Sequence, residues 1–256
     1  RQPALAYWAT RCANTATSPG LHATTCRLMN RPSTSVAPHD HTVESTSRTI
    51  GWILIAAMLA TLPLTLVLPQ WIGYENGVLE DVQAFTLVFG ALACGMYIHH
   101  FKTLRLRHFW WAILPFWLAF IGRELAWGAS FLPAISANEW GPTISSRILW
   151  YKPFVTPVLC AALVFSLWQF FRYRMDRAVL LRLWKENALP WRELAIFTIA
   201  MVASTLAEGH GPFNLQPYFG TQVVVLEELV ETWGYLALFV AQWRIGAHMQ
   251  QWRLHT

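Results

Sequence analysis

The residues best placed to do chemistry are acids set within apolar stretches. The run EELVE brings Glu227, Glu228 and Glu231 into a segment otherwise rich in Val and Leu. On a helix Glu227 and Glu231 are i,i+4 and share a face, while Glu228 lies i,i+3 from Glu231 and nearly shares it. RELAWG sets Arg123 beside Glu124 at the end of another apolar run. Glu80 and Asp81 open a third run, and Glu208 closes a fourth with His210 just beyond. Carboxylates accompanied by a histidine are cation ligands, and Glu124, Glu208, His210 and Glu231 form the natural set for a divalent metal cofactor. Buried carboxylates equally suit a proton- or cation-coupled path. The bland alternative is that Arg123 pairs with an acid of the last run and the other acids are hydrated. The helix dipole favours acids at N-termini, which suffices for Glu80, Asp81, Glu227 and Glu228. It opposes Glu124 and Glu208 at helix C-termini, and it does not reach the deeper Glu231.

The elements that must hold these groups are membrane spans. Hydrophobic residues make up 55% of the chain and charged residues 13%, against about 25% charged in soluble domains. A helix needs about 20 largely apolar residues to cross a hydrocarbon core. Residues 50–72, 79–101, 109–127, 153–171 and 222–243 meet or nearly meet that length, and 191–206 is a shorter sixth. Lipid leaves backbone groups to be satisfied internally, so runs of this length are helices. The expected fold is all-α and polytopic, with six transmembrane helices spanning 49–256. Gln83, Asn214, Gln216 and Gln222 fall at the level of the acids, so a pocket opening toward the outer leaflet is expected.

Basic residues orient the spans. Arg1, Arg11, Arg27, Arg31 and Arg48 precede the first, and Lys102, Arg105 and Arg107 follow the second. Arg172, Arg174, Arg177, Arg182, Lys185 and Arg192 follow the fourth, and Arg244 and Arg253 follow the sixth. Only Arg123, Arg147 and Lys152 of the 19 remain for the other side. Positive residues stay in the cytoplasm, which places both termini there. The net charge of +5 then points to anionic lipid headgroups on the cytoplasmic side rather than to nucleic acid. Nine of the 14 acids fall on the outer side, Glu75 and Glu139 among them. RYRMDRAVLLRLWKE, after the fourth span, reads either as a helix lying in the cytoplasmic interface or as a continuation of that span.

Residues 1–48, rich in Ser, Thr, Ala and Pro, are expected to lack structure. Met29 opens a plausible shorter product, so residues 1–28 are left out of the fold argument, and the first apolar run is expected to act as an uncleaved anchor. Cys94 and Cys160 fall at different depths, and with Cys12 and Cys26 scattered no disulfide scaffold is expected. His99, His100 and His108 cluster between the second and third spans, where headgroup contact is a better reading than haem ligation. The chain has no GxSxG elbow, HExxH pair or Gly-rich phosphate loop.

RELAWG at 123–128, the acids after YENG and the late EELVE helix resemble a group of bacterial multi-pass membrane proteins with a Glu-x-x-Trp-Gly motif at a helix end. The likeness covers residues 74–243. It implies a bacterial inner membrane and brings no established activity. This chain departs from the pattern by having Arg123 where a second acid is expected. It also has Asn214-Leu215-Gln216 in place of Asn-x-His, with His210 upstream, which weakens a metal reading. Three classes of function fit: a pocket for a cation or polar lipid headgroup, a metal-assisted hydrolase or transferase acting on lipid, and a non-catalytic assembly partner in a membrane complex.

Overall fold

In the computed structural model, residues 39–102, 104–138, 141–143, 145–210 and 215–254 are described, and His41–Thr256 form one unit. Cys12, Cys26, Glu139, Asn214 and the four arginines before Arg48 lie outside the described residues. Among the described residues, eight α-helices follow one another: α1 His39–Val67, α2 Val78–His100, α3 Leu104–Glu124, α4 Lys152–Arg172, α5 Leu181–Lys185, α6 Trp191–Ala207, α7 Gln216–Phe219 and α8 Val223–Leu254. A two-strand hairpin, Ser136–Asn138 with Gly141–Thr143, interrupts the loop between α3 and α4. Helix α1 begins at His39, so the last part of the segment expected to lack structure is helical.

Helix α8 is the centre. It packs on α6 and α2, and α3 lies against α2 with α4 outside it. Small residues permit these approaches. A Cβ at Gly90 would overlap the Trp117 ring, one at Gly246 would overlap Tyr97, and one at Gly234 would lie 2.9 Å from the Ala200 Cβ. Trp117 donates its indole N–H to the Gln242 side chain, whose Nε2 in turn donates to the Gly90 carbonyl at 2.8 Å. Buried polar groups are thereby matched across three helices. Helix α1 joins through Leu54, which packs with Ile196 of α6 and Ala237 of α8.

Among the described residues, three stretches are long and apolar enough to cross a membrane: Thr49–Val67, Gln70–His100 and Lys152–Arg172. They are mostly uncovered by the rest of the protein, only 11% of the Lys152–Arg172 window being buried. Leu59, Phe85, Phe89, Phe154 and Val164 are among their exposed side chains. Apolar surface on that scale requires an apolar surrounding, which is compatible with a membrane protein. The other expected spans differ for physical reasons. Helix α6 has 17 residues, α3 opens with LRLRH, and α8 carries three glutamates and Arg244. The acids of α8 and Arg244 face protein neighbours, while Arg105 and Arg107 at the start of α3 are exposed, so neither helix presents one unbroken apolar surface.

The segment after α4 is neither a continued span nor one regular helix. Helix α4 stops at Arg172, Arg174 takes φ +48°, and a π-helical turn Asp176–Leu180 leads into α5. Met175, Val179 and Leu183 are fully buried, in one cluster with Phe101, Phe109 and Trp252. Glu186 then clamps the segment to the end of α8, accepting from Arg182 at 2.9 Å and from Trp252 at 2.6 Å, with His248 Nε2 at 2.7 Å. Burial opposes its charge, but these hydrogen bonds outweigh it and hold the Glu186 carboxyl down at about 2.

Gly90 tests the helix packing. Replacing it by valine should lower the stability of the detergent-solubilised protein by about 1–3 kcal/mol through overpacking. Gly95→Ala, where an added Cβ meets nothing within 4 Å, should leave the thermal midpoint unchanged or raise it. Equal behaviour of the two variants would contradict the packing of α2 on α3.

Candidate functional site

Three helix ends build the site. Helix α3 runs out at Arg123 and Glu124, α6 at Ser204 and Glu208, and α8 begins with Glu227, Glu228 and Glu231. The turn after α3 is strained: Ala126 and Trp127 both have positive φ, at 43° and 60°. Each such non-glycine conformation costs about 1–3 kcal/mol and persists only where its surroundings over-determine it. Here the Trp127 ring lies over Gly122, where no side chain intervenes. Tyr151 also donates its hydroxyl to the Trp127 carbonyl at 2.5 Å. RELAWG is therefore a stop that ends α3 at Glu124 and folds the chain back over it.

Arg123 is the hub. Its two terminal nitrogens donate to Glu231, Nη2 to Oε1 at 2.5 Å and Nη1 to Oε2 at 3.0 Å. That two-pronged geometry is the strongest way to pair a guanidinium with a carboxylate. Nη1 also reaches Glu124 at 3.1 Å and the Tyr235 hydroxyl at 2.7 Å, and Nη2 reaches Glu208 at 3.2 Å. Tyr235 donates its own hydroxyl to Glu124 at 2.6 Å, and Ser204 donates to Glu231. Glu231 is only 2% exposed, so an ionised carboxylate there requires these donors.

Beside the hub lies a cavity of about 190 Å³ lined by Arg123, Ala126, Ser130 and glutamates 75, 80, 124, 227, 228 and 231. Its far wall is fixed by Gln83, which is fully buried and donates to the Glu228 carboxylate at 2.8 Å and to the Thr232 hydroxyl at 3.2 Å. Its rim is closed by Asn76, which donates its backbone N–H to Glu80 at 2.5 Å and its side-chain amide to the Ser130 carbonyl at 3.0 Å. Six carboxylates face one guanidinium, an arrangement that attracts a further positive charge.

Of the expected site residues, Glu80, Arg123, Glu124, Glu227, Glu228 and Glu231 come together at this cavity, and Glu208 joins through Arg123. Asp81 is exposed and absent from the lining. The expected metal set is not assembled as a set. His210 is 74% exposed and lies 3.7 Å from Glu208 alone, and Glu124 is bound to Tyr235. Among the described residues, the oxygens that converge within 4.8 Å belong to Glu208, Glu227 and Glu231. Two of these three acids, Glu208 and Glu231, already pair with Arg123.

Sequence reasoning missed Tyr235, Ser204 and Thr232, although each is four residues from an acid of the site and therefore on its face. It also named no partner for Glu193. Glu193 is completely buried, and its two oxygens accept from Arg244 Nη1 at 2.8 and 2.7 Å. The available signal was an acid at the start of one apolar helix and a base near the end of the next antiparallel one.

A double-mutant cycle checks the hub. Glu231→Gln and Arg123→Gln should each destabilise the protein, and the pair should show a coupling of about 2 kcal/mol in detergent unfolding. Strict additivity would contradict the ion pair. Arg147→Gln, at an exposed position, serves as the neutral control.

No protein-family model, curated protein or solved structure matches the chain.

Proposed function

We propose that the chain is a six-span membrane protein of the bacterial inner membrane whose acidic end binds a small cationic ligand. The reading rests on one observation: the cavity between α2, α3 and α8 carries a large excess of carboxylate beyond what Arg123 neutralises. Its size limits the ligand. With about 30 Å³ per water, 190 Å³ holds about six waters. That suits a partly hydrated metal ion or the ammonium group of a lipid headgroup, and excludes a whole drug-sized molecule, whose pockets begin near 300 Å³. The ligand is held by charge and by the fixed oxygens of Glu228 and Glu80, which Gln83 and Asn76 orient.

Equilibrium binding to the purified protein tests this, with Na⁺, Mg²⁺, Ca²⁺, choline and ethanolamine as probes. At least one should bind, and Glu227→Gln and Glu228→Gln should each weaken it about tenfold, equivalent to about 1.4 kcal/mol. Failure of all five probes, or binding that both variants leave unchanged, would remove the proposal. A tightly held divalent metal in the protein as purified would instead favour the metal-assisted hydrolase or transferase. That reading requires Arg123 to leave Glu231 and Glu208. An assembly role would show as correct folding with no ligand at all.

The six passes rest on charge. Acids gather where α3 and α6 end and α8 begins, and arginines gather at the opposite helix ends, the distribution expected of a bundle with a cytoplasmic basic end. Reporter fusions after Arg107, Lys185 and Arg253 should report cytoplasm, and those after Gly77, Asn138 and Pro217 the outside. A cytoplasmic signal from Asn138 would overturn the six-span arrangement.

A further inference from the structure

The connection between α4 and α6 is more ordered than its sequence requires. Three buried anchors spaced by four residues, Met175, Val179 and Leu183, fix which way the segment faces. The opposite side must then carry whatever lies between them. It carries Arg177, Leu181, Arg182, Trp184 and Lys185, all exposed, with Arg174 at the preceding bend.

Two features distinguish this face from an ordinary hydrated surface. First, its charge is one-sided. Residues 172–192 include five arginines and one lysine against Asp176 and Glu186, and Glu186 is already engaged by Arg182, His248 and Trp252. Exposed Lys102, Arg105 and Arg107 at the α2–α3 connection add the same sign. Among the described residues, neither Arg174 nor Lys185 forms an ion pair. Second, the face is aromatic. Trp184 is 60% and Trp191 57% exposed, and their rings meet edge to face with centroids 5.5 Å apart. Arg192 stands over the exposed Trp52 ring, 5.5 Å from its centroid. Exposed Phe171 and Trp168 of α4 adjoin this face in sequence and belong to a helix apolar enough to span a membrane. Basic residues with tryptophans at the end of such a helix match the boundary between acyl chains and headgroups. An acidic soluble partner would match the charge and leave the tryptophans uncovered.

We propose that this face, centred on Arg174, Trp184, Lys185 and Trp191, is a docking surface for the headgroups of anionic phospholipids. The tryptophan pair sits at the glycerol level, and Arg174 and Lys185 reach the phosphates. Glu186 clamps the segment to the C-terminal end of α8 and so holds this face in place.

The test uses the full chain in a neutral detergent, titrated with phosphatidylglycerol, phosphatidylcholine or glycerol 3-phosphate while the thermal midpoint is followed. Phosphatidylglycerol should raise the midpoint, and the other two should not. The double variant Arg174→Gln/Lys185→Gln, both at exposed positions, should need about ten times more phosphatidylglycerol for the same shift. The charge-preserving Arg174→Lys/Lys185→Arg variant should behave as the parent. Equal response to phosphatidylcholine, an equal response to glycerol 3-phosphate, or an unchanged response of the Gln/Gln variant would each overturn the proposal. The comparison of lipids on the parent protein decides the matter even if the Gln/Gln variant does not fold.

Discussion

A guanidinium cannot shed its proton, so wherever Arg123 is placed at the end of an apolar helix it must be given acids. Much of the acidic end follows from that demand. Glu231 answers it with two parallel hydrogen bonds, but only because α8 brings the residue in at the end of α3. Being almost fully enclosed, Glu231 then needs donors of its own, and Ser204 of α6 is one. Tyr235, one turn along α8, links the same guanidinium to Glu124. One charge thus sets the mutual register of α3, α6 and α8.

The same device recurs, inverted, at the other end. There Arg244 of α8 meets Glu193 of α6, so α8 supplies the acid of one pair and the base of the other. Ion pairs of this kind add little net stability over well-packed apolar residues, since desolvation offsets the attraction. What they do is penalise misregister: sliding α8 by one turn would leave charges unpaired at both ends. Between the two pairs, Gln242 and Trp117 perform the neutral version of that task. Helices α1 and α4, which carry no buried charge among the described residues, lie outside and present apolar side chains outward.

The cavity follows from how α3 stops. Had the helix continued through Trp127, the loop could not return over Glu124. The positive φ values at Ala126 and Trp127 fold it back, and Ser130 arrives at the cavity rim beside Asn76. Backbone strain and concentrated like charge are both unfavourable for folding, and they occur together at one place, so the surrounding packing and hydrogen bonds must over-determine both.

The sequence by itself determined the all-helical class, the positions of the long apolar helices and most of the acids that gather at one end of the bundle. These are local quantities: apolar run length, charge per residue and the 3.6-residue repeat, which places Glu227 and Glu231 on one face before any partner is known. It also held the sign of each end, because the arginines and acids segregate along the chain. Only the tertiary structure decided who pairs with whom. Arg123 and Glu231 are 108 residues apart, Glu193 and Arg244 are 51 apart, and no periodicity within one helix specifies its rotation against another. For the same reason His210 was expected among the ligands and lies exposed, while Tyr235 and Ser204 went unnoticed on faces already marked by their acidic neighbours. Local pattern decides which side of a helix is polar; packing decides what that side meets.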